Sequence, residues 1–134
     1  MADTVTSQTI QDGERVAVLK FTNESDGTGE ASVKKVDVSA LTTNSKGQTC
    51  TSVSIARIHW FCRGMGVDIE FDASTNVLAV TLAPDSSGDE YFDQFSGIPN
   101  NAGSGKTGDI DFTTVGHSSG DAYSIILVLN KNYE

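Results

Sequence analysis

Alternation with a period of two runs through almost the whole chain, and it limits the fold more than any other feature. "VDIEFD" (67–72) sets Val67, Ile69 and Phe71 on one face and Asp68, Glu70 and Asp72 on the other. "ERVAVLKF" (14–21) groups Arg15, Ala17, Leu19 and Phe21 against Val16, Val18 and Lys20. "SVKKVDVS" (32–39), "VLAVTL" (77–82), "DIDFTT" (109–114) and "AYSIILVLNK" (122–131) read as further strands. "CTSVSIARIHWFC" (50–62) gives the strongest strand signal. Strict alternation groups Val53, Ile55 and Phe61 with Arg57 and His59, and puts Ile58 and Trp60 opposite. Apolar groups on both faces predict a central strand covered on two sides.

The punctuation agrees with this reading. "NESDGTGE" (23–30), "NSKGQ" (44–48), "DSSGDE" (85–90), "PNNAGSGKTG" (99–108) and "GHSSGD" (116–121) are loops of turn-forming residues. Gly64 and Gly66 permit a bulge or sharp turn, "ASTN" (73–76) makes a hairpin link, and Pro84 ends a strand. "YFDQF" (91–95) suits a short edge strand or a loop plugging a barrel end. No amphipathic helix of ordinary length is present. The expected fold is all-β: one domain over 1–134, an antiparallel β-sandwich or barrel of about eight strands, jelly-roll-like, with residues 1–12 as an extended N-terminal arm. Strand order is not readable from the pattern.

Length and charge then narrow the function classes. A chain of 134 residues buries a real core without metal or disulfide support. Its net charge of −9 repels phosphate backbones, so no nucleic-acid partner is expected. No apolar run is long enough to span a bilayer, and "MADTVTSQTIQDGE" has neither the basic nor the apolar region of a signal peptide, so synthesis in a cytoplasm and no membrane association are expected. Cys50 and Cys62 fit that compartment as free thiols. On one long strand they lie too far apart to bridge without a bend or a second chain.

Several motifs invite chemistry and fail on context. "GSGKT" ends like a phosphate-binding loop through Gly105, Lys106 and Thr107, but the first-glycine position holds Asn100 and a strand follows where a helix is required. His59, Cys62, Cys50 and His117 lack paired zinc spacing, and His59 and Cys62 point to opposite faces of a strand. Asp85, Ser87 and Asp89 are spaced as in a calcium loop, but Glu90 stands where the glycine belongs and Ser96 where the bidentate acid belongs. "GHSSGD" cannot form a triad within one turn, and no G-x-S-x-G is present. One tryptophan and three tyrosines are little for a sugar platform, and Trp60 is expected in the core. No catalytic residue, cofactor or metal site is expected.

An acidic all-β domain of this kind is expected to bind or build. The polar arm could add a strand to a neighbour, and the 99–108 loop could order on assembly. "MADTVTSQTIQDGERVAVLKFTNESDGTGE", "RIHWFCRGMGVDIEFDASTNVLAVTL" and "GSGKTGDIDFTTVGHSSGDAYSIILVL" resemble, nearly end to end, a family of small virion structural proteins of tailed bacteriophages. The resemblance implies a non-enzymatic particle component. Within that, the expected role is a capsid decoration (cement) protein on the capsid surface, clamping major capsid protein subunits as a homo-oligomer, a dimer or trimer. A neck, tail or fibre-associated subunit is the alternative, and a carbohydrate-binding or hydrolytic β-sandwich for host attachment is a third. The expected contact residues are Thr4, Val5 and Thr6 in the arm, Asp26 and Gly27 in the first loop, and Asn100, Asn101, Gly103 and Lys106 in the glycine-rich loop.

Overall fold

The computed structural model describes residues 3–92, 97–100 and 102–133. Among them are nine strands: β1 (Thr4–Asp12), β2 (Val16–Glu24), β3 (Val33–Val36), β4 (Ser52–Arg63), β5 (Gly66–Phe71), β6 (Val77–Leu82), β7 (Ser87–Tyr91), β8 (Ile110–Val115) and β9 (Ala122–Asn132). One 3₁₀ turn, Val38–Ala40, follows β3 and is capped by Asp37, whose carboxylate accepts from the Ser39 amide.

The strands form two antiparallel sheets, ordered β1-β2-β9-β4-β7 and β3-β8-β5-β6. This order has a simple origin. The chain doubles back on itself as one long hairpin, so that β2 pairs with β9, β3 with β8, β4 with β7 and β5 with β6. Rolling that hairpin into two layers gives a jelly roll, to which β1 adds an outer strand beside β2.

Both sheets bury one face. Ala17, Leu19 and Phe21 from β2, Ile125, Leu127 and Leu129 from β9, and Val53, Ile55, Ile58 and Cys62 from β4 meet Val67, Ile69, Phe71, Ile110 and Phe112 from the second sheet. Phe112 ties the layers together edge-to-face, with ring centroids 5.3 Å from Phe21 and 5.8 Å from Tyr123. Each such pair contributes about 0.5 to 1.5 kcal/mol beyond its buried area. Close backbone approach is needed at Gly108, where φ is +88° and a Cβ would collide with the Thr51 carbonyl oxygen.

The structure corrects the sequence reading at four places. The N-terminal arm is not a separate extension: residues 4–12 are β1, paired along their length with β2. "DSSGDE" is only half a loop, because Ser87–Tyr91 pairs with β4 as β7. "SVKKVDVS" holds a strand of only four residues before the 3₁₀ turn. In β4, strict alternation fails. A bulge between Ile55 and Arg57 shifts the phase, so Ile58 and Cys62 join Val53 and Ile55 inside. Arg57, His59 and Phe61 face outward, and Phe61 is 55% exposed. The strand is therefore covered on one side, not two. The expectation for "YFDQF" falls mostly on residues 93–95, outside the described residues; Tyr91 ends β7.

Candidate interaction surface

The expected contact residues divide between the two ends of the sandwich. Thr4, Val5 and Thr6 are exposed on β1, beside the end of β2. The loop carrying Asp26 and Gly27 leaves that same end, and the Asp3 carboxylate ties it to the start of β1 by accepting from the amides of Asp26 (3.1 Å) and Gly29 (3.2 Å). These five residues thus form one neighbourhood. Asn100, Gly103 and Lys106 lie at the other end, where Ile98 bridges to Ile55 near the start of β4. The length of β2 separates the two groups, roughly 27 Å for eight strand steps. Asn101 lies outside the described residues.

The "GSGKT" stretch closes over the β5–β6 turn and runs directly into β8. The Thr107 hydroxyl donates to Asp72 Oδ2 at 2.7 Å, and the Ser74 amide donates to the Ser104 carbonyl at 3.2 Å. The Thr107 hydroxyl and amide are thus both committed to Asp72. The calcium-like spacing is also spent. Asp85 Oδ1 accepts from the Gly64 amide at 2.7 Å, and Asp89 takes a bidentate pair from Arg57 at 2.8 and 2.6 Å. That pair holds the Asp89 carboxyl below its ordinary range. Cys50, just before β4, and Cys62, near its far end, are both buried and free, and burial pushes the Cys62 thiol up to about 11. His59 faces out while Cys62 faces in, as the strand parity predicts. Among the described residues, no three His, Cys, Asp or Glu side chains gather so as to hold a metal ion, and no helix is long and apolar enough to cross a membrane.

A cluster of acid–base groups sits under the 25–32 loop. Glu30 accepts from Tyr123 Oη at 2.6 Å and from Asn23 Nδ2 at 3.0 Å, and its other oxygen pairs with Lys35. The side chains of the ion pair are 6% exposed, so both charges are removed from water and depend on each other. Burial first, and then the Glu30 contact, drive the Tyr123 hydroxyl far above its ordinary range. These groups face one another and anchor the loop to the sandwich. They are not arranged around a space for substrate.

What lies open are the two outer faces, and they differ in character. On the first sheet, the depression among Ile10, Val18, Ile126, Val128, Arg57 and His59 holds about 450 Å³. Exposed Phe61 and Tyr91 extend this face, with the Arg57 guanidinium 4.4 Å above the Tyr91 ring. Lys20 and Arg63 lie on it by register. The outer side of the second sheet is acidic. Glu70 stands directly opposite Asp111, and just beyond the same ends of the two strands Asp72 and Asp109 are joined by a backbone hydrogen bond of 3.0 Å. Among the described residues, Lys34 is the cation paired with them, 2.9 Å from Asp109. Asp111 is 5% exposed and its Oδ1 has no hydrogen-bond partner. Burial pushes its carboxyl upward, and Asp72, Glu70 and Asp109 push it further.

Sequence reasoning overlooked both faces. The signal for the first was present in β4. Grouping Arg57 and His59 with Val53 and Ile55 was a conflict that only a bulge resolves. For the second, "DIDF" showed acids at alternate positions but not that β5 would set further acids opposite them.

No family model matches this chain, and no curated protein matches it. Among solved structures it is similar to a cupin superfamily protein from Desulfitobacterium hafniense, at 10% identity and a TM-score of 0.40, with 98% of this chain and 82% of the other covered. A likeness of that size carries no argument about activity.

Proposed function

We propose that this chain is a non-enzymatic structural protein of a tailed-phage particle, and within it a decoration protein that sits on the capsid surface and clamps major capsid protein subunits. The observation that carries the reading is the distribution of polar chemistry. The Glu30–Lys35–Tyr123 cluster is satisfied within the fold, whereas an edge strand uncharged from Thr4 to Gln11 and a sheet face of mixed apolar and charged residues are left open. A molecule built this way presents surfaces to be covered. The jelly roll supports the reading, since capsid proteins use this architecture, although lectins and cupins share it. The end-to-end sequence resemblance to virion proteins points the same way.

Quantitative mass spectrometry of purified virions tests it. A ratio to the major capsid protein of one-to-one, or a simple fraction of that, is expected. A ratio of a few per cent would move the chain to the neck, tail or fibres. Absence from the particle would overturn the virion reading. Exposed Phe61 and Tyr91 on one face favour the carbohydrate-binding reading as second, because sugar sites pair aromatic surface with polar groups. Glycan-array binding abolished by Tyr91→Ala would establish it.

A further inference from the structure

The two sheets have four edges, and three of them are guarded. β7 is five residues long and carries Asp89 and Glu90. β3 is four residues long, carries Lys34 and Lys35, and is irregular between Lys34 and Val36. β6 has no charge, but a bulge at Ala79 leaves no more than three consecutive regular pairs, and its neighbour β5 presents Asp68 and Glu70. Short strands, charges and bulges are the usual means of preventing edge-to-edge pairing.

β1 has none of these over most of its length. It is nine residues long, and all but Asp12 are exposed. Thr4–Thr9 pairs with β2 in six consecutive regular positions before the bulge at Ile10. Between Thr4 and Gln11 the sequence holds no charge, no proline and no glycine. Its outer backbone groups face away from the sheet, as β1 is the end strand. On a chain of net charge −9, this edge is the longest regular one that a second copy can approach without meeting like charge. The cross-strand neighbours on β2 are mixed, with Lys20, Thr22 and Glu24 facing outward.

We infer that β1 pairs antiparallel with β1 of a second copy, joining two five-stranded sheets into one continuous ten-stranded sheet. Antiparallel pairing of identical strands is closed by a two-fold axis, so the contact is self-complementary and stops at two. The centre falls within Thr4–Thr9, which sets outward-facing Thr6 and Gln8 of one copy near Gln8 and Thr6 of the other. This inference stands apart from the virion role and its test is separate.

The test is the solution mass of the full chain by light scattering at about 100 µM, above the micromolar affinities that modest interfaces reach. The wild type is expected at twice the monomer mass. Thr6→Lys with Gln8→Lys, on exposed positions, is expected to be monomeric with an unchanged circular-dichroism spectrum. Mixing it with the Thr6→Glu, Gln8→Glu variant is expected to restore a dimer containing one of each. A monomeric wild type overturns the inference. So does a doubly lysine-substituted variant that still dimerises, because its contact would lie elsewhere. A wild type that is monomeric alone, yet binds particles only when β1 is unsubstituted, would assign the edge to a strand of another protein instead.

Discussion

Asp111 has the least comfortable position in the molecule. It is buried, one oxygen has no partner, and three other carboxylates stand near it. Its folded-state pKa lies above the unfolded value of about 3.9. The folded chain therefore holds this proton more tightly than the unfolded chain does. Stability from Asp111 rises as pH falls through the raised pKa towards the ordinary one. Asp12 works in the opposite sense. Its partial burial acts upward, but hydrogen bonds from Lys131 and Thr42 outweigh this and hold it low, so its contribution is lost only at more acid pH. Asp111→Asn is expected to raise stability at pH 7 by roughly 0.5 to 1 kcal/mol, the scale of a like-charge cross-strand pair. It should also flatten the difference between urea melts at pH 7 and pH 5. An unchanged profile would show that Glu70 and Asp72 are too well solvated to press on it. Little of this was legible in the sequence. Alternation marked residues 109–114 as a strand, but parity does not say what stands across the sheet, and burial here comes from β3, β5 and Asn76 closing around β8.

The strands show how far periodicity reaches. β5, β8 and β9 follow it because each pairs regularly on both sides or is offset only at one edge. β4 departs from it because one inserted residue at Ala56 reverses every later side chain. Substitutions separate the two phases. Ile58→Ala is expected to cost about 2 to 5 kcal/mol through the cavity it leaves. Phe61→Ser should cost about 0.5 kcal/mol or less, as for other exposed sites. Chemical denaturation of both variants decides the matter, since uninterrupted alternation in a strand covered on both faces would make both costly. β7 was hidden for another reason. Ser, Gly and Asp disfavour strands locally, and β7 forms because partners hold it. Asp89 pairs with Arg57, and Gly88 leaves room for the Trp60 ring, whose Cη2 would lie 2.6 Å from a Cβ there. Trp60 itself donates to Ser86 Oγ at 3.1 Å and is packed against the core, close to its expected place. β1 was hidden because it has no apolar face of its own. It is a strand because β2 offers an edge.

Taken whole, the architecture was legible as a class but not as an order. Turn signals and alternation gave a jelly-roll-like sandwich. The long hairpin that defines it depends on pairings between residues more than a hundred apart, such as Val16 with Asn130, and no local pattern encodes them. Net charge is a property at this scale too. Eighteen acids against nine bases repel one another within the compact state, most strongly on the outer side of the β3-β8-β5-β6 sheet. Raising sodium chloride from about 0.05 M to about 0.5 M shortens the screening length to a few ångströms. The expected result is a rise of a few degrees in the melting midpoint, equivalent to about 1 kcal/mol. A fall would mean that the more exposed Arg57–Asp89 and Lys34–Asp109 pairs, which salt screens, outweigh the repulsion.

The same separation of charge gives the molecule a direction. Its negative groups crowd one broad side, while on the other Lys20, Arg57 and Arg63 offset Glu24 and Asp89, across a body only about two sheets thick. Such an object carries an electric moment through its thickness and turns in any external field before it touches anything. Near a charged surface of either sign, its two broad sides would not be equivalent.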